Sequence, residues 1–144
     1  MRRYLVVANQ TLGGEHLVEK IRECIAAGPA GFHVLVPATP PQHHAVWTEG
    51  EAQAIAQRRL ELALQRFREL GAEVDGEVGD ENPLRAISDA LRDDSFDEVI
   101  LSTLPPGISR WLGQDLPHRV ERGCELPVTH IISEPEPAEP GTRA

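Results

Sequence analysis

The residues that could do chemistry gather in one stretch, "STLPPGISRWLGQDLPHRV", residues 102–120. It holds Ser109, Asp115 and His118, the side-chain types of a nucleophile, an orienting acid and a base. A triad is assembled by geometry rather than by closeness in sequence, and this serine lacks the G-x-S-x-G elbow. Hydrolysis is therefore not the favoured reading, and the chain is expected to be non-catalytic. Arg110 carries a planar fork that suits a carboxylate or a phosphate. Its plainer alternative is a surface arginine paired with Asp115. Trp111 could stack on a ligand ring, but anchoring a short helix to the sheet is the expected role.

Two further groups invite a metal or redox reading. His43 and His44 are adjacent, with His33 nearby. Neighbouring histidines point apart, and no cysteine or third spaced ligand completes a zinc set. No metal site is expected. Cys24 and Cys124 make no C-x-x-C motif. Cys24 falls on an apolar helical stripe and reads as a small buried hydrophobe. A reducing compartment is the simpler setting, although a disulfide between the two is not excluded by sequence and any redox role stays open.

Placing these residues requires the elements around them. "YLVVAN" (4–9), "FHVLVPA" (32–38), "AEVDGEVGD" (72–80), "FDEVILST" (96–103) and "LPVTHII" (126–132) read as five strands. Between them lie helical patterns. Leu17, Val18, Ile21, Cys24 and Ile25 form the first stripe, closed by "AAGPAG". The second helix runs from about Glu51 to Leu70, with the stripe Ile55, Leu60, Leu64, Phe67 and Leu70, and Gly71 stops it. Asn82 is placed to cap the third helix, with Pro83 at its first position. Residues 107–122 read as one or two short helical turns, with Asp115 as a cap ahead of Pro117. The third strand is the most polar and reads as an edge.

Alternating strands and helices imply a parallel sheet covered on both faces. Right-handed crossovers then give a three-layer α/β/α sandwich, Rossmann-like, with five strands. The 144 residues suit one domain, residues 1–133, followed by an acidic, proline-rich tail at 134–144 expected to be disordered. In such sheets ligands sit beyond the carboxyl ends of the strands, where the strand order reverses. For the order 3-2-1-4-5 that crevice gathers Asn9, Gln10, Thr11, Val36, Ser102, Thr103, Ser109 and Arg110. Gly13 and Gly14 could shape a small anion-binding turn, but Glu15 favours a simple turn of the chain.

Charge narrows the partners. The net charge is −9, and the chain is 40% apolar and 26% charged. Arg58, Arg59, Arg66 and Arg68 share a helix with Glu51, Glu61 and Glu69, which reads as a mixed, solvated face. Without a cationic cluster a nucleic acid is a poor partner. No run approaches membrane-spanning length, and the amino terminus lacks the long apolar core of a signal peptide. A cytoplasmic protein is expected.

Two segments carry a family resemblance. "EVGDENPLRAISDAL" followed by "FDEVILS" is similar to the universal stress protein pattern of a "GD-P" turn, an "AIxxxA" helix and a "DLIVMGS" strand. "HRVERGCELPVTHI" resembles that family's ending, in which a helix passes through a Leu-Pro or Cys-Pro step into the last strand. The resemblance spans about residues 3–133. It implies the strand order 3-2-1-4-5 and a homodimer paired through the last strand, here Pro127, Val128, Thr129, His130, Ile131 and Ile132. It also implies what is missing. ATP-binding members carry G-x2-G-x9-G-[S/T] after strand four, because glycines let backbone N–H groups approach phosphates. Counted back from "HRV", the four positions are Leu101, Leu104, Gln114 and Asp115. Pro105 and Pro106 also remove two N–H donors. The family's Asp at the end of strand one is Asn9 here. A divergent member that does not bind ATP in the standard way is expected, acting as a regulatory or ligand-sensing protein, with a protein partner open. The alternative is a nucleotide binder or slow ATPase, with ATP or AMP held by Thr103, Ser109 and Arg110.

Overall fold

The computed structural model describes residues 1–39, 49–107 and 109–133, the side chains of Glu49 and Arg110 excepted. His43, His44 and the tail at 134–144 lie outside the described residues. The elements alternate as the sequence implies. They are β1 (Arg2–Val7), α1 (Glu15–Ala27), β2 (Ala30–Pro37), α2 (Glu49–Glu69), β3 (Glu73–Gly79), α3 (Pro83–Asp93), β4 (Glu98–Thr103), α4 (Arg110–Gly113), α5 (Leu116–Gly123) and β5 (Val128–Ile132). The five strands form one parallel sheet of order β3-β2-β1-β4-β5.

Strand side chains alternate between faces, and here both faces are buried. Tyr4, Val6, Val34, Val36 and Ile100 pack under α1 and α2. Leu5, Val7, Leu35, Val99 and Leu101 pack under α3 and the short helices, with Trp111, Leu116 and Val120. Trp111 is only 7% exposed, so it anchors α4 to the sheet. Cys24 is buried, its thiol is free, and burial pushes its pKa up, away from nucleophilic chemistry.

Local signals explain most helix ends. Asn82 accepts hydrogen bonds from the N–H groups of Leu84 and Arg85, with Pro83 beginning the helix. Gly71 follows α2 with φ +93°, the left-handed conformation that favours glycine. Asp115 departs from expectation. It holds the N-cap position of α5 in a left-handed conformation, but its side chain makes no cap bond. Its carboxylate meets His118 Nδ1 at 2.8 Å instead.

The face of α2 also differs from the expected stripe. Its buried residues are Ala52, Ala56, Leu60, Ala63 and Phe67, while Ile55, Leu64 and Leu70 are half-buried. Small residues let this helix lie close on the sheet. Gly76 of β3 completes the fit: a Cβ there would stand 2.5 Å from the Val34 carbonyl oxygen and 2.7 Å from Leu60 Cδ1. β3 itself is an edge strand, tied to β2 by side chains as well as backbone. His33 meets Asp75 Oδ1 through Nδ1 and Glu77 Oε2 through Nε2, each at 2.8 Å.

Overpacking at such a contact costs about 1–3 kcal/mol. Gly76→Ala is expected to lower unfolding stability by that amount in urea titrations. Unchanged stability would contradict the close approach of α2.

Candidate functional site

The carboxyl ends of β1 and β4 carry the polar residues that the strand order brings together. Asn9, Thr11, Ser102 and Thr103 are buried, with exposures of 7%, 1%, 1% and 2%. A buried polar group costs free energy unless paired, so their partners decide what they can do.

Ser102 and Thr103 are adjacent on β4 and therefore face opposite sides of the sheet. Ser102 turns toward the α1 side, where its Oγ lies 2.6 Å from Thr11 Oγ1. Thr103 turns toward the α5 side, where its Oγ1 lies 2.8 Å from His130 Nε2 on β5. Burial holds the His130 pKa below its ordinary value, opposed by the charge of Glu121. Asn9 takes a third direction. Its amide donates to the Pro37 carbonyl at 2.8 Å, which leaves Oδ1 aimed at Arg59 Nη1, 2.5 Å away.

The remaining predicted residues divide further. Val36 is fully buried in the core beneath α1 and α2. Gln10 is half-exposed at the turn after β1. Ser109 Oγ accepts the Leu112 N–H at 3.1 Å and so caps α4. Arg110 begins that helix. Thr103 and Ser109 thus have separate partners and do not converge through them. Of the triad set, His118 and Asp115 do meet on the surface, but the Ser109 hydroxyl accepts the Leu112 N–H and no hydrogen bond joins it to His118 among the described residues.

Several backbone donors from Ser109 onward are also engaged. The N–H of Ser109 bonds the Pro105 carbonyl, that of Gly113 bonds Ser109, that of Gln114 bonds Trp111, and that of Asp115 bonds Leu112. Together with two prolines, this makes the segment a turn and a helix rather than a cradle of converging amides.

Arg59 departs from the expectation of a solvated face on α2. It is half-buried and reaches the end of β1. The spacing held the signal. Ala56, Arg59 and Ala63 share one helical face, which becomes visible once the alanines are counted as buried positions. One helical repeat on, Arg66 donates to the Gly13 carbonyl at 3.3 Å. A cavity of about 400 Å³ opens between them, lined by Leu12, Gly13 and Leu62 among others. The site therefore offers side-chain cations from α2 beside a strand-end amide.

A histidine whose folded pKa is depressed contributes stability that is fully present above its unfolded value, about 6.5, and is lost as pH falls from there through the lower folded value. The melting temperature is expected to fall between pH 7.5 and 5.5, and His130→Gln should fall less. Parallel curves would show that His130 is not the group that matters.

No family model matches the sequence, and no curated protein sequence matches it. Solved structures do. A universal stress protein in complex with cAMP aligns with a TM-score of 0.61 at 16% identity, over 92% of this chain and 98% of that one. The universal stress protein from Archaeoglobus fulgidus aligns at 0.62 and 16% identity, over 91% and 93%. A universal stress protein family protein from Arabidopsis thaliana with AMP bound aligns at 0.63 and 11% identity, over 93% of each chain. At these identities the likeness is one of fold, and this chain has the universal stress protein fold.

Proposed function

We propose that this chain, built on the universal stress protein fold, is a non-catalytic regulatory or small-ligand-sensing protein that has given up the standard ATP cradle. One observation carries the reading. The segment after β4 spends the N–H groups of Ser109, Leu112, Gly113, Gln114 and Asp115 on its own carbonyls and on the Ser109 hydroxyl. Phosphate binding by backbone needs those donors free and converging. The crevice that remains is read by side chains, Asn9 and Arg59 foremost. A cytoplasmic setting and regulation through a protein partner complete the reading. No helix among the described residues is long and apolar enough to cross a membrane.

A second reading rests on the neighbours with cAMP and AMP. In it, a nucleotide enters the crevice and is held by rearranged side chains around Thr103, Ser109, Arg110 and Arg59. Thermal shift with ATP, AMP and cAMP separates the two. A ligand at a hundred times its Kd stabilises by about 2.7 kcal/mol. No shift with ATP is expected. A clear ATP shift that Arg59→Ala abolishes would replace the first reading with the second.

We also propose a homodimer through β5, across Pro127, Val128, Thr129, His130, Ile131 and Ile132. Ile132 is 44% exposed on an edge strand, and an apolar edge is a liability unless it is covered. Sizing chromatography with light scattering is expected to give a dimer, and Ile132→Glu a monomer. A dimer unaffected by that charge would argue against β5 as the seam.

A further inference from the structure

The opposite edge of the sheet has a different character. β3 pairs only with β2 among the described residues. The Gly79 carbonyl accepts the Ala38 N–H on the β2 side. Backbone groups alternate edges along a strand, so Val74, Gly76 and Val78 present theirs outward. Arg68 confirms the direction, reaching the Val74 carbonyl from α2 at 3.5 Å. The carboxyl end of β3, through Glu77, Val78 and Gly79, borders a trough of about 1130 Å³, walled by Gln53 and Gln57 of α2 and by Arg85 and Asp89 of α3. Residues of both helices thus flank the carboxyl end of the strand.

The charge of this trough selects its occupant. Its lining has five carboxylates and two guanidiniums. Glu77 is engaged by His33 and Asp89 by Arg92. Asp80, Glu81 and Asp93 remain exposed, opposed in the lining by Arg85. Along β3, Glu73, Asp75 and Glu77 project on one face. A second copy of this strand laid antiparallel would set Asp75 opposite Glu77, or Asp75 opposite itself. Like charges directly opposite destabilise a strand pair. The edge therefore disfavours its own copy and favours a strand with cations at alternate positions.

We propose that the β3 edge is a docking groove for a basic, extended segment of a partner protein, added as a sixth strand beside Val74, Gly76 and Val78. Main-chain hydrogen bonds hold such a segment, and alternate lysines or arginines meet the carboxylates of β3 and of the trough. The groove lies on the opposite edge from β5, so the proposal is independent of the homodimer and of any crevice ligand.

The test uses the full chain and an acetylated, amidated peptide of alternating Lys and Val, seven residues long, with a fluorescent label. Fluorescence anisotropy in low salt is expected to show saturable binding. Hydrogen exchange should slow at the Gly76 and Val78 amides. The double substitution Asp80→Lys with Glu81→Lys is expected to weaken binding about tenfold. Glu19→Lys with Glu23→Lys on α1 changes net charge equally and should weaken it far less. A peptide with N-methylated backbone should not bind. Equal losses from both double variants, binding by the N-methylated peptide, or unchanged exchange at β3 would each overturn the proposal by reducing it to bulk charge attraction. Self-association lost on substitution at β3 would overturn it in favour of a second copy.

Discussion

A parallel sheet covered on both faces leaves no water at its centre, so a polar group at a strand end is costly unless it finds a protein partner. That constraint organises this molecule. Of the buried side-chain groups, only the Ser133 hydroxyl after β5 lacks a partner among the described residues. β1 and β4 bring Asn9, Thr11, Ser102 and Thr103 to the place where strand order reverses, and each is buried. The pleat sends Ser102 and Thr103 to opposite faces, where Thr11 and His130 receive them. Asn9 is fixed by the Pro37 carbonyl and turned toward α2, which answers with Arg59. The same demand shapes the segment after β4. With Pro105 and Pro106 unable to donate, the amides that follow turn inward on the chain and build α4. The character of the crevice follows from how these obligations were met.

Most of the fold was legible because its signals are local. Apolar, β-branched runs marked the strands. Asn82 with Pro83 marked the start of α3, and Gly71 marked the end of α2. The polarity of β3 marked it as an edge. The face of α2 was legible only in part. Leu60 and Phe67 are buried as the stripe implies and Leu64 and Leu70 pack against the same core, whereas close packing on the sheet also selects Ala52, Ala56 and Ala63 in place of Ile55. Helix faces near a sheet favour what fits, and a small side chain carries a weaker hydropathy signal than a large one.

The site was less legible for the same reason. The absence of glycines at Leu101, Leu104, Gln114 and Asp115 could be read position by position. The meeting of Arg59 with Asn9 could not, because it spans fifty residues of sequence and no local pattern records it. Asp115 shows a subtler case. A capping residue type two positions ahead of Pro117 suggests a hydrogen-bonded cap. The backbone there is left-handed, with φ 57°, which directs the carboxylate to His118. Residue type announced the position correctly, and dihedral angle decided the partner.

The clasp between His33 and the two carboxylates of β3 bears on the order in which the molecule comes apart. β3 reaches the sheet only after a 21-residue helix has been crossed, so its pairing with β2 is a non-local event. An edge strand with half-exposed residues belongs to the least protected cooperative unit of a fold. His33 adds side-chain bonds that must break before β3 can lift from β2. The fraying edge is in this way tied to its neighbour, and β3 parts from β2 only once both contacts of a single imidazole have let go.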